Sequence, residues 1–199
     1  MTAYEDATRY VPHQTHKLAE GGELERWQVD LAHSSLRFSL RHIVVQKING
    51  RFNRWGGTLD LDRRAPWMST IRVWIDLASI ETNAPERDAH VRSAEFLDVA
   101  RFPLADFEST SVDPRADRLV VRGRLRLHGV GRDVELEVTP RGLDAEGRDV
   151  YAMRAKIDRQ AFGLHWNQDL DVGGVVVGDE IEIVAEVAIV REGGDEVEL

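Results

Sequence analysis

Apolar and polar side chains alternate along most of the chain from Trp27 onward, which is the period of a strand with one buried face. In the segment 34–42, Leu36, Phe38 and Leu40 share one face, and serines and arginines occupy much of the other. The same alternation predicts further strands over residues 48–62, 70–77, 104–110, 119–127, 133–138, 151–157 and 181–189. Eight strands are therefore expected.

A change of parity interrupts the second of these segments. Phe52 and Trp55 both belong to its apolar set, although their spacing would place them on opposite faces of an uninterrupted strand. This pattern predicts a bulge near Asn53 and Arg54. The following Gly56–Gly57 pair would permit the bend that a closing barrel needs.

After the third strand the alternation stops. Asn83 followed by Glu86 is the pattern of a helix-capping pair, and Pro85 suits a first helical turn. The sequence therefore predicts a helix over Pro85–Arg92, inside a helical insertion around residues 84–98.

Eight alternating strands with short connections predict an all-β fold, an eight-stranded antiparallel up-and-down barrel with one helical insertion. A two-sheet sandwich is the competing architecture. Several strands of nine residues or more favour the barrel, because most strands are about 5–6 residues long. The expected organisation is an N-terminal extension over 1–26, the barrel over 27–191 and a frayed tail over 192–199.

The formal net charge of −9 argues against nucleic acid as a partner. The charge is uneven, because no Asp or Glu occurs between Asp30 and Asp60. The region Arg37–Arg54 is a basic segment, which we interpret either as a solvated outer face or as a patch for transient contact with an anionic membrane surface.

Other compositional features narrow the classes further. The chain has no cysteine, and His33, His42, His128 and His165 lack zinc-ligand spacing, so no metal site is expected. No segment reaches the ~18 consecutive apolar residues of a membrane span, and the N-terminus lacks an apolar signal region. A cytoplasmic protein is expected.

Motifs spread along the chain give a more specific indication. They include Trp27-x-Val-Asp-x-Ala-His-Ser34, Gly50-Arg-Phe52, Arg87-Asp-x-His-Val-Arg-Ser93, Phe102-Pro103 and Arg159-x-x-Phe-Gly163. In this order and spacing they resemble the YceI-like family of bacterial polyisoprenoid-binding barrels, over about residues 27–191. The resemblance implies a lipocalin-like barrel with an elongated apolar cavity for an isoprenoid chain, such as a polyprenyl pyrophosphate or a quinone tail.

The inward parity of the strands supplies the expected cavity lining. In a barrel such residues either pack against each other or surround a ligand, and the alternation is the same in both cases. The resemblance favours a bound isoprenoid, quinone or fatty-acid-like lipid, with no other cofactor. The predicted lining comprises Leu36, Phe38, Leu40, Ile48, Phe52, Ile71, Val73, Ile75, Phe107, Val121, Leu125, Val134, Leu136, Met153, Ile157, Phe162, Ile183 and Val187.

Charged residues of the helical insertion are the candidates for polar chemistry. On a helix, Arg87 and His90 share a face, and Asp88 and Arg92 have the i,i+4 spacing of an ion pair. We consider three interpretations of these four residues. They fix a lid over the barrel, or they contact a ligand head group. In the third, the protein is an enzyme acting on a small amphiphile, with Asp88 and His90 as acid and base. The full predicted head-group set is His42, Arg87, Asp88, His90, Arg92 and Arg159.

Two further hypotheses concern the outer surface. A filled barrel would work through its surface, as a ligand-free, stress-related interaction module. Trp74 has the outward parity of the third strand, so it marks a contact surface or lies beneath the helix. Self-association through a strand edge or a tryptophan-bearing face would give a homodimer.

Overall fold

The computed structural model describes residues 24–42, 46–167 and 177–192, with the side chains of 42 and 46 outside the described set. Within these residues eleven strands form one antiparallel sheet, and there is one α-helix, α1, over Pro85–Arg92. The strands are β1 Glu25–Val29, β2 Ser35–His42, β3 Gln46–Phe52, β4 Trp55–Leu61, β5 Thr70–Asp76, β6 Ile80–Glu81, β7 Leu104–Pro114, β8 Leu119–Leu127, β9 Val130–Leu143, β10 Asp149–Asp158 and β11 Val177–Arg191.

The sheet closes on itself through β11. This strand pairs with β10 on one side and with both β1 and β2 on the other. The pairs β1/β2, β3/β4 and β5/β6 are each one strand of the wall, broken by a short irregular segment. The described residues therefore form an eight-stranded, up-and-down antiparallel barrel, and the predicted fold is confirmed.

The break between β3 and β4 lies at Asn53 and Arg54, where the parity change predicted a bulge. The backbone N–H of Arg54 donates to the Ser79 hydroxyl at 3.0 Å, and that of Asn53 donates to the Ser79 carbonyl at 3.2 Å. Ser79 ends the 3₁₀ turn that separates β5 from β6. The break between β3 and β4 therefore lies beside the break between β5 and β6. On one side of these breaks β4 pairs with β5, and on the other side β3 pairs with β6.

Several sequence expectations need correction, at strand boundaries and at the predicted helix cap. β1 begins at Glu25, which lies inside the segment predicted as an extension. β9 is longer than the predicted strand over 133–138. Asn83 and Glu86 do not form a capping pair, because Ala84 is the N-cap residue and no side chain caps it. Asn83 instead takes a φ of 60°, a left-handed conformation that asparagine tolerates.

We call the barrel end that carries β2, β3, β6 and α1 the upper end, and the end that carries β1 and the β9–β10 hairpin the lower end. Inward side chains of both halves belong to two contacting apolar clusters. Trp74 lies on the outside, with its ring against Gly56 and 45% of its surface exposed, so it does not lie beneath the helix. No helix in the described part of the chain is long and apolar enough to cross a membrane.

Candidate functional site

The upper half of the barrel contains a partly open cavity of about 430 Å³. Its walls come from the strands around the barrel, and α1 and the segment 164–166 contribute at the upper end. The walls are mostly aliphatic and aromatic, and the volume lies within the range of small-molecule sites, about 300–1,000 Å³. The described barrel is thus hollow in its upper half.

Half of the predicted lining surrounds this space. These residues occupy the inward parity of β2, β3, β5, β8, β10 and β11, as the alternation indicated. They are Leu36, Phe38, Leu40, Ile48, Phe52, Ile75, Leu125, Ile157 and Ile183.

The other half of the predicted lining lies in the packed interior instead. Phe107, Val121 and Phe162 are buried in the main apolar cluster, and the rest pack against that cluster or the smaller one. Alternation could not separate the two groups, because an inward side chain in a solid region has the same parity as one that borders a void. The residues outside the cavity are Ile71, Val73, Phe107, Val121, Val134, Leu136, Met153, Phe162 and Val187.

The sequence reasoning missed several wall residues. Leu77 begins the 3₁₀ turn and has the inward parity of the strand predicted over 70–77. Ile80 follows that turn, and Leu164 and Trp166 lie beyond β10, so no strand period marks these three. Others had a usable signal, since Leu127 and Ile181 have the inward parity of predicted strands. The remaining missed wall residues are Thr82, Glu86, Val91, Phe96, Leu97, Ala105 and Val177.

Polar side chains of the lining lie at the α1 side of the cavity. Arg87 donates from Nε to the hydroxyl of Thr82 and from Nη2 to the Thr82 carbonyl, both at 2.8 Å. Its Nη1 has no hydrogen bond, and no carboxylate pairs with it, within the described residues. Among the described residues, Arg87 therefore has N–H donors without a partner at the edge of an apolar space.

Asp88 and Arg92 do not line the cavity, and the predicted ion pair between them is absent from the described contacts. Asp88 is buried and accepts hydrogen bonds from the backbone N–H and the hydroxyl of Thr82. Arg92 donates to the carbonyls of Ala78 and Ile80. Both residues tie α1 to the segment around β6, which is a structural role, and their predicted contact with a head group stays a prediction.

His90 lines the cavity and faces two other residues. Its Nε2 lies 3.0 Å from a carboxylate oxygen of Glu95, and its ring meets that of Trp166 edge to face with centroids 4.6 Å apart. Asp88 is not among its hydrogen-bond partners in the described residues. Within the described residues, Asp88 and His90 therefore have separate partners, and no hydrogen bond joins them.

Arg159 borders the cavity but is fully buried. Its N–H groups donate to the carbonyls of Leu164, Trp166, Val177 and Gly178 and to the Asp179 carboxylate. All five donors of the guanidinium are thus used by the protein, which leaves none for a head group. Burial lowers the pKa of Arg159, and the Asp179 charge partly offsets this effect.

Two further predictions concern His42 and the basic segment Arg37–Arg54. The side chain of His42 lies outside the described residues. In the basic segment Arg37–Arg54, three cations have carboxylate partners: Lys47 pairs with Glu182, Arg51 with Glu81 and Arg54 with Asp76. Most of that charge is therefore neutralised by neighbouring strands, which reduces the basic character of the patch.

The fold and the cavity define a class of protein: a closed up-and-down β-barrel that encloses one apolar space with a charged edge. Residues 27–189 match the YceI-like domain, and the chain belongs to the YceI-like family. It is 35% identical over 164 residues to Protein YceI of Salmonella newport and to that of Salmonella arizonae, which covers 80% of this chain and 83% of each relative. The resemblance predicted from the motifs is confirmed.

Solved structures share the fold. BcnA of Burkholderia cenocepacia superposes with a TM-score of 0.72 at 23% identity, covering 81% of this chain and 99% of that protein. The Campylobacter jejuni YceI protein gives a TM-score of 0.63 at 21% identity, with 77% and 90% covered. A polyisoprenoid-binding domain from Saccharophagus degradans gives 0.63 at 16% identity, with 85% and 100% covered.

Proposed function

We propose that the barrel binds the apolar tail of a lipid of the isoprenoid, quinone or fatty-acid-like class and keeps it out of water for storage, transport or sequestration. The observation that carries this proposal is the apolar cavity of about 430 Å³ in the upper half of the barrel. The name of the Saccharophagus relative, a polyisoprenoid-binding domain, supports the isoprenoid class.

The volume sets the amount of tail that fits. At about 30 Å³ per non-hydrogen atom, a value borrowed from liquid water, the cavity accepts roughly 14 such atoms. Burying that many methylene groups is worth about 11 kcal/mol, and lost translational and rotational freedom costs about 4 kcal/mol or more. A net of about 7 kcal/mol at most corresponds to micromolar affinity.

A polar head group adds the remaining affinity and fixes the orientation. Arg87 has spare N–H donors beside the cavity, and a guanidinium suits a phosphate or carboxylate because its planar fork donates two bonds at once. The tail then lies in the barrel and the head group stays near α1.

The decisive experiment places a bulkier side chain from β11 into the cavity. Ile183 lines it, whereas the adjacent Val184 opposes the exposed residues Arg37 and Arg154 on the neighbouring strands. We expect Ile183→Trp to weaken farnesol binding, measured by calorimetric titration, by at least about tenfold, the loss of two or more buried methylene groups. Val184→Trp is the matched control on the same strand and should bind as the wild type does.

Equal binding by the two variants, or no uptake of any prenyl or acyl chain by the wild type, would contradict the proposal. If the protein binds lipid as proposed, solvent extraction and mass spectrometry of protein purified from its native host will identify the lipid class that it carries. No contact among the described residues favours the acid–base alternative, because Asp88 and His90 have different partners. A barrel filled throughout does not fit the open upper half.

A further inference from the structure

The cavity ends partway down the barrel. The wall residues Leu36, Phe52, Ile75 and Ile183 belong to the same apolar cluster as Trp55, and that cluster continues into the lower half with Met153, Val73, Val187 and Val29. None of these last four borders the cavity. Trp55 itself is 5% exposed and does not line the space. The cluster that contains Trp55 is therefore the boundary between the hollow and the packed half.

The break at Asn53 and Arg54 is what places the indole ring there. Phe52 and Trp55 are both inward residues, which an uninterrupted strand could not achieve. As the first residue of β4, Trp55 pairs with Ile75 across the sheet, and Ile75 is a wall residue of the cavity. Trp55, the bulkiest side chain of its cluster, thus lies directly across the sheet from a residue that lines the cavity.

Side-chain contacts also link strands at the lower end of the barrel. The guanidinium of Arg63 covers the ring of Trp27 at 4.7 Å from its centroid. Arg63 also pairs with Asp149 and Glu25, and Glu25 pairs with Arg191. The neighbouring strands β1, β10 and β11 are therefore tied together at this end by aromatic and ionic contacts.

We propose that Trp55 is a specificity-determining residue that sets the length of apolar tail the barrel accepts. This inference rests on the proposed function. A tail of about farnesyl length fills the cavity at roughly 30 Å³ per atom, and further isoprene units remain in water and add little affinity. Replacing the indole ring with a smaller group opens space toward Val73, Met153 and Val187.

The test is a chain-length series of geraniol, farnesol and geranylgeraniol, each titrated calorimetrically into the wild-type protein, Trp55→Leu and Trp55→Phe. For the wild type we expect affinity to rise from geraniol to farnesol and then to level off. In Trp55→Leu the rise should continue to geranylgeraniol, with a gain of at least about tenfold over farnesol, equivalent to burying two or more further methylene groups. Trp55→Phe keeps a ring in the core and should give a smaller gain.

Trp74→Leu is the matched control, because Trp74 lies on the next strand but faces outward. It should keep the wild-type length limit. If Trp55→Leu does not fold, the Trp55→Phe series and the wild-type limit still decide the question. A wild-type affinity that keeps rising to geranylgeraniol, or a limit that is unchanged in both folded Trp55 variants, would overturn the role of Trp55 while leaving lipid binding intact. Absence of binding to every alcohol would instead refute the proposed function, and with it this inference.

Discussion

The carboxylate of Asp88 accepts hydrogen bonds from both the backbone N–H and the side-chain hydroxyl of Thr82. The same threonine accepts two hydrogen bonds from Arg87, through its hydroxyl and its carbonyl. Because Thr82 and Arg87 line the cavity, these bonds fix the position of α1 at the upper end. The charged edge of the cavity therefore depends on a buried structural acid.

Replacing Asp88 tests that dependence. Asp88→Ala leaves the Thr82 N–H buried and unpaired, and we expect the free energy of unfolding to fall by about 2–4 kcal/mol in urea denaturation. Glu86→Ala on the same helix should cost less than about 1 kcal/mol, because Glu86 is exposed. Equal losses in the two variants would show that the Asp88–Thr82 contact contributes nothing specific.

Arg87→Gln separates head-group from tail recognition. We expect the affinity for farnesyl pyrophosphate to fall by about tenfold or more, the equivalent of one charge-assisted hydrogen bond of about 1.5–3 kcal/mol, and the affinity for farnesol to stay unchanged. Calorimetric titration of both ligands measures this, with Arg37→Gln on the outer face as the control. A parallel loss for both ligands would mean that Arg87 merely shapes the cavity.

Arg159 should matter for stability more than for head-group choice. Arg159→Met leaves the carbonyls of Leu164, Trp166, Val177 and Gly178 without this donor, so we expect a loss of about 3–5 kcal/mol in unfolding free energy. Lys156→Met removes an exposed pair with Glu180 and should cost about 1 kcal/mol or less. The two denaturation midpoints check this, and similar values would contradict the buried network.

Lowering the pH should weaken the contact between Glu81 of β6 and Arg51 of β3. Hydrogen bonds from Asn53, and then from Arg51, lower the pKa of Glu81 below its ordinary value of 4.5. A lowered pKa in the folded state adds stability above pH 4.5, which is lost as the pH falls through the folded pKa. Wild type should thus exceed Glu81→Gln in stability at neutral pH, and the difference should shrink below pH 4.5.

Thermal unfolding of the two proteins across this pH range measures the difference. In an Arg51→Gln, Asn53→Ala background the pH dependence of the Glu81→Gln effect should disappear, because both lowering contacts are removed. A difference that is constant with pH, or that grows in acid, would contradict the assigned role of Glu81.

The barrel could be predicted from the sequence because period-two alternation specifies strand faces directly, and the parity change at Phe52 and Trp55 located the break. Short-range rules did less well at Asn83, where local backbone geometry displaced the expected cap. They also gave Asp88 and Arg92 a mutual pair, although tertiary partners in the β6 region satisfy each of them.

The extent of the cavity could not be predicted. Ile183 borders the void and Val187 lies in the packed half, although both have the same parity on β11. Which of them faces empty space depends on how bulky residues such as Trp55 from other strands fill the interior. The position of the cavity therefore depends on how side chains from all eight strands pack together, and the sequence of a single strand does not indicate it.

The most direct test of the account is a crystal structure of the protein with farnesol bound. We predict continuous density for the prenyl chain that begins beside Arg87 and runs between Phe38, Leu125 and Ile183. The chain should end above Trp55. A barrel whose upper half is filled by its own side chains, with farnesol absent or held on the outer surface, would contradict the account.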